Sequence, residues 1–197
     1  MNLPNKLTVL RLILVPFYVF FLLMPSIPHH YLIALIIFCA AAYTDHLDGK
    51  IARKMNMVTD FGKFADPLAD KVMILSALAC FIQLGLTDCI SLIVIVTREF
   101  AVTSVRLAAM GKGKVVAANN WGKVKTVSQI AAVIVVMLLR YILELDSMKI
   151  ITIGDTQTIS FWFGVAGTAL IWISVIFTLI SGIIYIVQNF EYIRTAK

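Results

Sequence analysis

Four aspartates carry the strongest chemical signal in this chain of 197 residues: Asp45, Asp48, Asp66 and Asp70. On a helix, residues three or four apart share a face. Asp45 and Asp48 are spaced i, i+3, and Asp66 and Asp70 are spaced i, i+4, so two neighbouring helices would each aim two carboxylates at one point. Left alone, four such groups repel one another. Divalent cations of the Mg²⁺ type remove that repulsion, because they take hard oxygen ligands and keep substrate phosphates as further ligands. The pattern points to a two-metal site for phosphoryl transfer. A lone aspartate at a helix end is ordinarily a solvated loop residue. Two same-face pairs interleaved with glycines are not.

The aspartates belong to a longer string, Asp45-His46-Leu47-Asp48-Gly49-Lys50-Ile51-Ala52-Arg53, then eight residues, then Gly62-Lys63-Phe64-Ala65-Asp66-Pro67-Leu68-Ala69-Asp70. Gly49 and Ala52 leave room for a nucleotide or diphosphate to lie against backbone, and Gly62 suits a turn into the next helix. Pro67 fits the first turn of a helix, which sets Asp66 at its start. Arg53 can clamp a diphosphate oxygen bidentately. His46 falls at a variable position and reads as a polar filler.

A second set is cationic. Arg98 and Arg106 are eight residues apart, close to two turns of one face, with Glu99 beside the first; Lys123 and Lys125 follow on the next apolar stretch. An arginine inside a membrane span needs a partner or a wet cavity. Arg98 has two ways to meet that need: an ion pair with Glu99 or an aspartate, or, with Arg106, Lys123 and Lys125, an anionic acceptor such as a sugar or glycerol phosphate.

The elements that must position these groups are membrane spans. Hydrophobic residues make up 60% of the chain and charged residues only 14%, against about 45–50% and about 25% in soluble domains. A soluble globule, a disordered chain, a collagenous chain and a disulfide miniprotein are excluded. Six apolar stretches, roughly 7–24, 31–44, 67–86, 90–110, 126–145 and 159–187, predict an all-α polytopic membrane protein. It would have six transmembrane helices after a short N-terminal juxtamembrane segment, with residues 1–197 as one domain. The second stretch is short unless its helix runs on through Asp45 and Asp48. The last exceeds one bilayer thickness and should tilt or project. The first runs on without a small-residue cleavage site and is expected to be a retained span rather than a signal peptide.

Seventeen Lys+Arg against eleven Asp+Glu give +6. Ten of the basic residues fall in alternate connections and the tail: Lys50, Arg53, Lys54 and Lys63 in one, Lys112, Lys114, Lys123 and Lys125 in another, Arg194 and Lys197 in the tail. The alternation puts both termini, both basic loops and the four aspartates at the cytosolic face, towards anionic membrane lipids. It also leaves 145–158 outside as a short amphipathic excursion. No arginine-rich tract interleaved with aromatics is present, so nucleic acid is not an expected partner. Cys39, Cys80 and Cys89 read as small core hydrophobes, and His29 and His30 as interfacial. Trp162, Trp172, Tyr185 and Tyr192 fit packing or an interfacial belt, and Gly164, Ala166, Gly167 and Ala169 fit close helix approach, within the bundle or at a dimer face.

The string from 45 to 70 resembles the signature of the CDP-alcohol phosphotransferases, D-x-x-D-G-x-x-A-R, eight residues, G-x-x-x-D-x-x-x-D, with all eight fixed identities present. The resemblance implies a six-helix membrane fold, usually homodimeric, and two Mg²⁺ or Mn²⁺ ions. It implies that an acceptor hydroxyl attacks the β-phosphorus of a CDP-linked donor and releases CMP. Carried over, Asp45, Asp48 and Asp66 are metal ligands, Asp70 is the general base that also touches metal, and Gly49, Ala52, Arg53 and Gly62 contact the CDP portion. Asn2 to Thr8 with Arg11, Arg98-Glu99-Phe100 and Gly122 to Thr126 are similar to one branch of that family. That branch makes phosphatidylglycerophosphate from CDP-diacylglycerol and sn-glycerol 3-phosphate. Tyr43, where a small residue is expected, departs mildly from the pattern.

Three alternatives stand beside this one. A same-family enzyme could use serine, inositol phosphate or phosphatidylglycerol, although neutral or zwitterionic acceptors would not need Arg98, Arg106 and Lys123 together. A cation or proton transporter would place its acids near the midplane in broken or repeated helices. A prenyltransferase would carry a second aspartate-rich motif, and the second half of the chain has none.

Overall fold

A computed structural model describes the backbone of residues 3–55, 60–111 and 120–190, and the side chains of 5–44, 68–107, 109 and 120–190. Six helices follow in order: α1 (Leu3–Leu22), α2 (His30–Met55), α3 (Asp60–Gln83), α4 (Cys89–Gly111), α5 (Asn120–Ser147) and α6 (Thr156–Gln188). Three of them, α1, α5 and α6, are long and apolar enough to cross a membrane by length and composition alone. At 33 residues α6 is about 50 Å long, well beyond a hydrocarbon core of about 30 Å. The chain is a polytopic membrane protein.

Its surface fits that solvent. Leu10, Ile13, Phe17 and Phe20 form an exposed stripe on α1, and Ile173, Ile176, Leu179, Ile183 and Val187 form another on α6. The buried interior instead collects polar groups: Thr8, Arg11, Glu99, Lys125, Gln129, Thr178 and Ser181. In lipid such groups must find partners inside the protein.

Packing is organised around α1, α2 and α3, with α5 and α6 as a second layer and α4 against α6. Tyr18 ties the first layer together. Its ring meets Phe38 of α2 edge-on, with centroids 5.6 Å apart, and its hydroxyl donates to the Met73 carbonyl of α3 at 2.6 Å. The fully buried Ala34, Ala41 and Ala77 let the backbones approach. Gly167 does the same between α6 and α5, since a Cβ there would lie 3.2 Å from Val136. Cys80 is buried, Cys39 half-buried and Cys89 exposed, and all three thiols are free.

As expected, α2 runs on past Thr44 and carries Asp45 and Asp48 on helical backbone. In α3 the expectation fails by two turns. The helix starts at Asp60, so Gly62 and Pro67 lie within it rather than in its entry turn. Proline removes one backbone donor, and that single loss does not stop the polar turns ahead of it from being helical.

Carboxylates pin several helix ends. Glu144 near the end of α5 accepts from the backbone N–H of His30 (2.9 Å) and Tyr31 (3.3 Å), capping α2 from another helix. His30 is accordingly buried, not interfacial. Asp88 accepts from the Ser91 N–H at 2.8 Å and from the Trp172 indole at 2.8 Å. Within the excursion expected over 145–158, residues 148–155 form a braced loop between α5 and α6. Asp146 accepts from Ile153 N–H and the Thr156 hydroxyl, and Asp155 caps α6. The Thr158 hydroxyl bond holds the Asp155 carboxyl below the usual carboxylate range.

Helices α3 and α5 end alike. Leu86 N–H bonds to Phe81 and Gly85 N–H to Ile82; Ile150 N–H bonds to Leu145 and Lys149 N–H to Asp146. The residue in the left-handed region is Gly85 (φ 67°) in the first and Lys149 (φ 59°) in the second. A side chain there costs about 1 kcal/mol. Lys149→Gly is therefore expected to raise Tm by about 2–4 °C, read from thermal unfolding in detergent; no rise would mean that the lysine makes a compensating contact.

Candidate active site

Helices α3, α4, α5 and α6 enclose a cavity of about 660 Å³. Its wall contains Asp70 and Lys71 from α3, Arg98, Glu99, Thr103 and Arg106 from α4, Lys123 and Lys125 from α5, and Ser181 and Tyr185 from α6. All four cations singled out by spacing thus share one cavity with Asp70. Among the described residues, five cationic side chains there face two carboxylates, a balance that suits an anionic ligand.

Asp70 is held from a helix far away in sequence. Arg11 of α1 is fully buried and its Nη1 lies 2.5 Å from Asp70 Oδ1, while the aspartate side chain stays 45% exposed. A charge-assisted bond of this kind fixes the carboxylate while leaving it open to the cavity. Asp45, Asp48 and Asp66 lie on the helical backbone of α2 and α3, as do Gly49, Ala52, Arg53 and Gly62. Their side chains lie outside the described residues. The donor set itself fits a hard divalent cation, since all four acids offer oxygen only.

Of the two outcomes open to Arg98, the ion pair is present. Its Nη1 donates to Glu99 Oε1 at 3.0 Å, and the same oxygen accepts from Lys125 Nζ. Arg98 Nη2 also donates to Ser181 Oγ at 2.7 Å. Gly182 makes this reach possible, because a Cβ there would come within 2.7 Å of Arg98 Cγ. Lys71 Nζ donates to the Thr103 hydroxyl, which donates in turn to the Glu99 carbonyl at 2.7 Å. Lys123 is exposed at the rim. Arg106 Nε and the Tyr185 hydroxyl are buried and have no hydrogen-bond partner among the described residues. Tyr185 is not part of an interfacial belt, being only 3% exposed.

Residue spacing missed several of these groups. Arg11 pairs across 59 residues, and Ser181, Gly182 and Tyr185 come from a helix that reads as purely apolar. Glu99 was visible beside Arg98, but its bond to Lys125 spans 26 residues.

The sequence pattern that defines CDP-alcohol phosphatidyltransferases matches residues 1–180. The chain belongs to the CDP-alcohol phosphatidyltransferase family. It is 42% identical over 207 aligned residues to the CDP-diacylglycerol–glycerol-3-phosphate 3-phosphatidyltransferase of Bacillus subtilis (strain 168), covering 100% of this chain and 99% of the relative. The Haemophilus influenzae enzyme of the same name is 40% identical over 137 residues, 66% of this chain and 72% of its own. That of Escherichia coli (strain K12) is 38% identical over 135 residues, 66% of this chain and 74% of its own. The family match takes in the four aspartates and the cations of α4 and α5.

Proposed function

We propose that this CDP-alcohol phosphatidyltransferase moves the phosphatidyl group of CDP-diacylglycerol to sn-glycerol 3-phosphate, giving phosphatidylglycerophosphate and CMP. The observation that carries this reading is the cavity that joins Asp70 to a net-positive wall, in a chain similar over its full length to an enzyme of that name. Asp70 takes the proton of the acceptor hydroxyl. The hydroxyl oxygen then bonds to the donor's β-phosphorus, and the bond to the bridging oxygen breaks, so CMP leaves with the electron pair. Arg11 keeps the Asp70 carboxylate aimed at the cavity.

Two divalent cations, Mg²⁺ or Mn²⁺, would be held by Asp45, Asp48, Asp66 and Asp70, and when bound they supply charge for the developing alkoxide and leaving phosphate. Gly49, Ala52, Arg53 and Gly62 take the CDP portion. Arg98, Arg106, Lys123 and Lys125 serve the acceptor phosphate in two ways. Arg106 and Lys123 are the contacts, while Arg98 and Lys125, neutralised in part by Glu99, shape the wall behind them. The basic residues of the α2–α3 and α4–α5 connections support a cytosolic active site and cytosolic termini. Such a site lets a lipid donor keep its tails in hydrocarbon while its cytidine faces water. The family resemblance carries a homodimer as well.

The test is purified protein with CDP-diacylglycerol, Mg²⁺ or Mn²⁺, and a panel of glycerol 3-phosphate, serine, inositol phosphate and phosphatidylglycerol, following CMP. Glycerol 3-phosphate is expected to support release at least about tenfold faster than any other acceptor. Equal or faster release with another acceptor overturns the assignment.

A further inference from the structure

Tyr185 sits on α6 with its ring against Val102 and Val105 of α4, one residue short of Arg106. Both Tyr185 and Arg106 line the cavity. The Tyr185 residue is 3% exposed, and its hydroxyl has no hydrogen-bond partner among the described residues; the buried Nε of Arg106, a half-buried residue, has none either. A buried phenol ordinarily finds a partner. Four polar atoms of the cavity wall share that lack among the described residues: Arg98 Nε, Arg106 Nε, Gln129 Oε1 and the Tyr185 hydroxyl. The two arginine nitrogens are obligate donors and the phenol can donate, so together these three fit a group made of acceptor oxygens.

The surroundings select the class of that group. Lys71, Arg98, Lys123 and Lys125 make the wall positive, which suits a phosphate dianion better than a sugar hydroxyl. Helix α6 packs on α4 and α5, whereas Asp70, beside which a reacting hydroxyl must lie, comes from α3. Resting on the acceptor proposed above, we infer that the Tyr185 hydroxyl donates a hydrogen bond to the phosphate monoester of the acceptor, beside Arg106. It is a binding residue for the acceptor and takes no part in moving the proton. Position 185 lies beyond the stretch that matches the family pattern.

Tyr185→Phe removes the hydroxyl and keeps the ring. In the CMP assay the variant is expected to show a KM for glycerol 3-phosphate raised by about tenfold or more, with kcat and the KM for CDP-diacylglycerol within twofold of the parent. Inorganic phosphate, used as a competitor of glycerol 3-phosphate, should lose affinity by the same factor. The ligand-free Tm should hold or rise, since no internal bond is lost. An unchanged KM, an unchanged phosphate inhibition constant, or a fall of several degrees in the ligand-free Tm would each overturn the inference. Failure of the parent protein to make CMP from glycerol 3-phosphate would sink the functional reading instead. In that case, the Tm rise given by millimolar phosphate still decides the matter for Tyr185, because it should be present in the parent and absent in the variant.

Discussion

Replacing Asp70 with asparagine is expected to lower kcat for CMP release by about 10³-fold, while CDP-diacylglycerol binding stays within a few-fold. The substitution keeps size and leaves an amide oxygen able to accept from Arg11 Nη1, so α1 and α3 remain tied. What disappears is the basic oxygen open to the cavity. The split between chemistry and binding is the informative readout, since a structural role for Asp70 would damage both together. Donor affinity, measured by titrating the lipid without acceptor, separates the cases. CMP release close to that of the parent would remove Asp70 as the base. Parallel loss of donor binding would reassign it to holding the fold or the cations alone.

How much of this site could be read from residue order follows from the range of each interaction. Paired aspartates at i, i+3 and i, i+4 are local patterns, and so is the eight-residue step from Arg98 to Arg106; both survive in a linear string. Hydropathy likewise marks the middle of each helix. It says little about where a helix continues into polar surroundings, which is why Asp60–Ala65 read as loop and proved to be the first turns of α3. The partner of Asp70 was out of reach for a different reason. Arg11 precedes it by 59 residues, and their meeting depends on α1 packing against α3. Tyr185 shows the same limit from the other side. Near the end of the last apolar stretch an aromatic residue looks like an interfacial anchor, and only the contact of α6 with Val102 and Val105 turns it into the cavity. Glu144 and His30 repeat the lesson where α5 ends and α2 begins, joined across 114 residues.

Glu99→Ala tests the electrostatic balance of the cavity and is expected to be the most destabilising single change in it. One carboxylate oxygen accepts from both Arg98 Nη1 and Lys125 Nζ, and the glutamate is 8% exposed. Without it two buried cations face each other. Removing one member of a buried ion pair typically costs about 3–5 kcal/mol, which for a chain of this size lowers Tm by about 10 °C or more. Glu99→Gln should fall nearly as far, because it restores shape and hydrogen bonding but not charge. The same variants should then depend on phosphate. A dianion in the cavity supplies the missing negative charge, so millimolar inorganic phosphate should raise their Tm by more than it raises the parent's. Thermal unfolding with and without phosphate reads both effects. A variant as stable as the parent would show that Arg98 and Lys125 do not need Glu99. A phosphate response no larger than the parent's would show that the two cations, once released, do not turn towards the ligand.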